Sequence, residues 1–156
     1  MSTRFPTVKG SNLARRELVL PRDFAGEFNV VAIAFQAWQQ AEVDSWVPLL
    51  DELEQRVPGL RYYELPVIRA MNPFNQWFID EGMRRGIPHQ ATRERTITLY
   101  TDKQQFRAAL GLPHEDHIYV LLVDRQGQVL WQTAGAYRPA AAESLSHAMG
   151  LAMAVA

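Results

Sequence analysis

No cysteine occurs among the 156 residues. That excludes disulfides, thiolate metal sites, thiol nucleophiles and redox cycling by the chain's own side chains. An excess of either charge is also missing: 16 Lys and Arg stand against 17 Asp and Glu, for a formal net charge of −1. Without a basic field to attract a phosphate backbone, nucleic-acid binding is not expected. No apolar run approaches the roughly 20 residues of a spanning helix, so the chain is not expected to cross a membrane. The longest run, VVAIAF (Val30–Phe35), suits a buried strand. Glycine-rich phosphate loops of the GxGxxG or Walker type are absent, as is a GxSxG nucleophile turn.

What is present reads as one globular domain with room for a sizeable core. FNVVAIAF (Phe28–Phe35) is apolar on both faces, the pattern of a central strand covered by helices. A helix follows over 42–57, where Val43, Trp46, Val47, Leu50, Leu53 and Val57 form one apolar stripe. Pro48 inside it is expected to bend or break the helix. Leu60–Ile68 reads as a second strand. Asn72 and Pro73 open a helix that closes at Gly86, and Arg95–Thr101 alternates as a third strand. Thr101 and Gln104 suggest a capping box for a helix that stops at Gly111. Two apolar runs around DRQG predict a hairpin of 118–123 and 129–133. Pro139 opens a last helix, with Leu145, Met149, Ala152 and Met153 expected to face the core. The order β-α-β-α-β-α-β-β-α argues for an α/β fold with a mixed sheet and helices on both faces. The first 16 residues have an acid-poor composition like that of a targeting segment. Phe5, Val8 and Leu13 look instead like core anchors of an ordered lead-in.

Few motifs point to chemistry. His114-Glu115-Asp116-His117 resembles a paired-His metal motif, but zinc sites need two further ligands, and His89 and Asp124 have no motif link. Glu42 and Asp44 start a helix, where the dipole alone explains acids. Ser45, His117 and Asp124 can be drawn as a triad with no supporting turn motif. We assign no catalytic residue, metal or cofactor. Recognition surfaces are better represented. Phe74, Trp77 and Phe78 share one helical face while Ile79 and Met83 lie on another, so this helix is either deeply buried or touches a partner. Trp38 sits in the loop after the central strand, where a half-exposed indole suits an interface anchor. Gln39 and Gln40 beside it can hydrogen-bond an extended peptide. Arg84, Arg85, Arg93 and Arg95 read either as helix-end charges or as a carboxylate- or headgroup-binding patch.

The element order, VVAIAF, the helix-internal Pro48, the hairpin VLLVDRQGQVLW and the following TAGAY together resemble the thioredoxin-like fold. LPRDFAGEFNVV resembles the same stretch of peroxiredoxin-like members. Within that superfamily, YYELPVI, FIDEGMRRGIP and RTITLYTDKQQFRAALG are similar to the mitochondrial ATP synthase assembly factors and their bacterial relatives, a family named for a yeast inner-membrane protein. The resemblance implies that a Cys-x-x-Cys pair would fall at Gln40 and Val43, or at Gln39 and Glu42 with a one-residue shift. It puts the fold's cis-proline near Ile118. It therefore implies a single thioredoxin-like domain without its redox site, acting as a binding or assembly protein. The expected partner is a protein, such as a hydrophobic subunit of ATP synthase, met in the cytoplasm at the inner-membrane periphery. The docking surface expected is Trp38, Gln39, Gln40 and Glu42 together with Phe74, Trp77, Phe78, Arg84 and Arg85. The competing expectation is a thioredoxin-fold enzyme with non-thiol or metal-assisted chemistry in the cleft near Gln40 and His117.

Overall fold

Every residue of Phe28–Ile33 is buried, and these residues form the centre of β4 (Phe28–Ala34). Alternate side chains of this strand feed two separate apolar cores, one on each face of the sheet, as a strand covered on both sides requires. The computed structural model describes residues 3–154. Ahead of β4 lie β1 (Thr3–Arg4), β2 (Val8–Asn12) and β3 (Glu17–Leu20). After it come α1 (Gln40–Arg56), β5 (Leu60–Arg69), α2 (Pro73–Gly86), α3 (Gln90–Arg95), β6 (Ile97–Thr101), α4 (Lys103–Leu110), β7 (Tyr119–Asp124), β8 (Gln128–Ala134) and α5 (Pro139–Ala154). The strands form one mixed sheet in the order β1-β8-β7-β4-β5-β6-β2-β3. β4 pairs parallel with β5 and antiparallel with β7.

One core sits under α1 and α5, where Trp46 and Leu50 of α1 and Leu145 and Met149 of α5 meet Val30, Ala32 and Leu122 of the sheet. The opposite core joins Phe106 and Leu110 of α4 to Val31, Ile33, Leu65 and the lead-in residue Phe5. Phe5 packs edge-on against both Phe24 and Phe106. Phe5 and Leu13 are thus core anchors, while Val8 is partly buried. The lead-in does more than expected, since β2 and β3 form a hairpin that extends the sheet beyond β6.

Four local expectations change. α1 runs unbroken through Pro48, because the flanking apolar stripe holds the helix where one lost N–H bond does not end it. The cap of α4 is Asp102, which accepts from Gln105 N at 2.9 Å, one residue later than the Thr101–Gln104 box. A short helix, α3, replaces the start of the third strand, which begins at Ile97. Met153 is 43% exposed rather than facing the core. It lies one turn beyond Met149, the last buried residue of α5, where the helix end runs past the core. The β7–β8 hairpin turns as expected, with Asp124 accepting from Gln126 N and Gln128 N. Gly127 completes that turn at φ +84°, and a Cβ there would meet Pro21 Cγ at 2.7 Å.

Candidate functional site

The parallel strand β4 delivers the chain to the start of α1 through a single 3₁₀ turn, Ala37–Gln39. Gln39 organises this junction from inside. Its side chain has no solvent exposure. Its Oε1 accepts from Phe35 N at 2.8 Å and Gln36 N at 3.3 Å, and its Nε2 donates to the Glu115 carbonyl at 2.6 Å. Gln39 is therefore not available to a partner peptide, contrary to the sequence expectation. A buried amide with both ends bonded supports the backbone that leaves β4.

The next contact from the junction to the loop before β7 is made by Glu42. Its carboxylate meets His117 Nδ1 at 3.2 Å and accepts from Ile118 N at 3.3 Å. Glu42 too is committed internally, which corrects its assignment to the docking surface. Glu115 anchors the same loop through its carboxylate, with Gln36 Nε2 at 2.9 Å, Lys103 Nζ at 3.1 Å and Arg107 Nε at 3.3 Å. Lys103 Nζ also donates to the Phe35 carbonyl at 2.7 Å. The loop before β7 is thus clamped to the junction at several points.

The two pairs of positions at which the resemblance would put thiols have distinct environments. Val43 is buried in the core under α1, and Gln40 is exposed. Gln39 and Glu42 both reach the 115–118 loop. Ile118 is fully buried, and the peptide bond before it is trans; the cis bond among the described residues is Leu20–Pro21. Gln40 Nε2 donates to Asp44 Oδ1 at 2.8 Å and Glu64 Oε1 at 3.3 Å. Gln40 and His117, joined in the enzymatic reading, thus engage different partners. The drawn triad is not assembled either. Ser45 Oγ bonds the Glu42 carbonyl and Tyr137 N, His117 faces Glu42, and Asp124 holds the hairpin turn. Among the described residues, no group of three or more His, Asp or Glu comes together as metal ligands.

Sequence reasoning missed Glu64. It lies on β5 with only 8% of its surface exposed and forms no ion pair among the described residues. Burial raises its carboxyl above the ordinary range, Gln40 counters this by donating to it, and Asp44 adds to the rise. For an acid raised by folding, the cost to stability is absent below the unfolded value and fully present above the folded one. Glu64→Gln keeps an acceptor for Gln40 and removes the desolvated charge. It is expected to raise stability by about 1 kcal/mol at pH 7, or roughly 2–4 °C in Tm. The gain should vanish as the pH falls toward about 4, which thermal melts across that range will check.

Elsewhere the expected surface divides. Trp38 is 62% exposed at the junction. On α2, Phe74, Trp77 and Phe78 are 70%, 56% and 66% exposed, so that face is not core. The arginines do not form one patch. Arg84 donates to the Leu13 carbonyl, Arg93 bonds the carbonyls of Ile87 and Arg84, and Arg95 pairs with Glu54 at 3.1 Å over the Tyr62 ring. Arg84 is consequently an internal tether, and Arg85 remains exposed. Trp38, Gln40, Phe74, Trp77, Phe78 and Arg85 are the outward members of the expected set.

This architecture is that of the thioredoxin-like class. BsSco, a member of the Sco family of cytochrome c oxidase assembly proteins, is similar with a TM-score of 0.63 at 12% identity, covering 96% of this chain and 94% of that one. Yeast Sco1, solved with copper bound, gives 0.57 at 13% identity over 95% and 93%. The exposed lipoprotein thioredoxin Etrx1 of Streptococcus pneumoniae strain TIGR4 gives 0.56 at 13% identity over 91% and 99%. Within that class, a family model described as ATP10 protein matches residues 1–150, and the chain belongs to this family of ATP synthase assembly factors. No curated protein matches the sequence.

Proposed function

We propose that the protein is a non-catalytic assembly factor that holds a hydrophobic subunit of a membrane complex, ATP synthase being the complex its family implies. The observation that carries this reading is the junction itself. The positions where a thioredoxin-like protein would hold its thiols are occupied by Gln39 and Glu42 or by Gln40 and Val43, and the first pair is spent on tethering the 115–118 loop. The sequence carries no cysteine and so offers no thiol for redox cycling, which supports a non-catalytic reading. The indole left facing outward, Trp38, is a suitable anchor for a client. Gln40, exposed beside it, offers a polar contact at the rim of that anchor. The outward face of α2 is a second, separate contact surface. The proposed location is the cytoplasm, at the periphery of the inner membrane. Among the described residues, no helix is long and apolar enough to cross a membrane.

The test is affinity capture from detergent-solubilised membranes, with mass spectrometry for a membrane-embedded ATP synthase subunit. The wild-type chain is expected to retain such a subunit. Trp38→Ala should reduce its recovery by about tenfold, the loss of one anchor residue, with unchanged Tm. Equal recovery by both proteins, or none by the wild type, removes the Trp38 assignment.

A further inference from the structure

We propose that the outer ridge of α2 docks on an anionic lipid surface. Phe74, Trp77 and Phe78 fall on one stripe of the helix, and the rings of Phe74 and Phe78 lie 6.3 Å apart. Three large aromatic side chains, each more than half exposed, mark a contact surface rather than ordinary solvent-facing positions.

Shape points to a flat partner. No residue of α2 is buried, so the helix stands proud of the sheet. It is held there largely by polar contacts, with Tyr100 donating to the Gln76 carbonyl and Asp80, Arg84 to the Leu13 carbonyl, and Arg15 pairing with Glu81. Cavities of about 570, 500 and 450 Å³ are lined by other elements. A helical peptide needs a groove and an extended one needs a sheet edge, whereas a convex ridge matches a planar boundary. Trp and Phe are the side chains that favour the headgroup level of a bilayer.

Charge specifies which lipid. Arg85 lies about three turns beyond Phe74 on the same stripe, exposed and without an ion pair among the described residues. Arg69 is exposed at the end of β5, just ahead of the helix. Glu81 lies between Arg15 at 2.8 Å and Arg84 at 3.8 Å, while Asp80 has no cationic partner among the described residues and accepts from the neutral Tyr100 hydroxyl at 2.8 Å. Against these two acids stand Arg15, Arg69, Arg84 and Arg85, so the charge around the aromatic ridge is net positive, although the whole chain carries −1. Anionic headgroups complement it.

Co-sedimentation of the full chain with vesicles tests the proposal. The wild type is expected to bind mixed phosphatidylcholine–phosphatidylglycerol vesicles at least about fivefold better than pure phosphatidylcholine vesicles. Phe74→Ser/Phe78→Ser should weaken that binding by about tenfold or more, and Arg85→Glu by at least about fivefold. Added salt should weaken the wild-type binding further. A wild type that stays in the supernatant, sediments equally with both vesicle types, or is matched by both variants overturns the proposal. Capture in detergent, where no bilayer exists, separates lipid from protein. The ridge variants should recover as much of the membrane subunit as the wild type does, and recovery below the wild-type level would assign the ridge to a protein partner and overturn the lipid assignment. Failure of the Trp38 test leaves this outcome unaffected.

Discussion

Gln39→Leu is expected to lower the stability of the protein by about 3 kcal/mol, or roughly 6–12 °C in Tm. Leucine fills a similar volume, so the effect isolates hydrogen bonding from packing. It leaves Phe35 N–H without its 2.8 Å acceptor in a buried position, and the Glu115 carbonyl without its 2.6 Å donor. An unpaired buried group costs more than the bond itself returns when made. Gln39→Glu provides an internal control with a pH signature. The introduced carboxyl, while ionised, still accepts from Phe35 N but cannot donate to the Glu115 carbonyl, and it is a charge at a site without solvent. Burial raises its folded pKa, so the cost is present above that value and relieved below it. Thermal melts should show Gln39→Glu recovering toward wild type as the pH falls below about 5, while Gln39→Leu does not. Equal melting of Gln39→Leu and wild type would remove Gln39 from the junction's support.

Trp46→Ala is expected to be the most damaging single substitution, at about 3–5 kcal/mol, with a Tm drop on the order of 10 °C. The indole is fully buried under α1. Its Nε1 donates to the Gly135 carbonyl at 3.1 Å, and its ring meets Tyr137 edge-on at 5.7 Å between centroids. One side chain thus ties the helix that begins at the junction to the segment linking β8 with α5. Trp46→Phe retains most of the packing but loses the N–H and part of the ring volume, so it should cost about 1–2 kcal/mol. Calorimetry of the two variants checks the ratio. A Trp46→Ala protein that melts within a degree or two of wild type would mean that the core under α1 repacks around the lost volume.

Elements defined by strong local chemistry were readable from the sequence. β4 was visible because both its faces are apolar, α2 because Asn72 caps it with Pro73 at its start, and the hairpin because Asp124 and Gly127 satisfy its turn. α3 was not, since Gln90–Arg95 is polar apart from Ala91 and carries no apolar period. The β2–β3 hairpin was hidden because Arg15 takes the left-handed conformation, at φ 68°, where Gly or Asn would have signalled the turn. The site was only half legible. Trp38, Phe74, Trp77 and Phe78 are outward, one of the two placements that their type and spacing left open. Gln39 and Glu42 looked like solvent-facing polar residues. Their partners, Glu115 and Ile118, lie 76 residues along the chain, and no local pattern encodes a contact of that range. Glu64 was lost inside a strand of aromatic and aliphatic residues, where a single acid does not disturb the pattern.

The tether between Glu42 and the Ile118 amide also limits what the junction can accept. Placing cysteines at Gln39 and Glu42 would cut the clamp that orders the opposing loop, and a cysteine at Val43 would remove a branched side chain from the core. Either installation of a thiol pair costs stability, so the junction resists conversion into a redox centre.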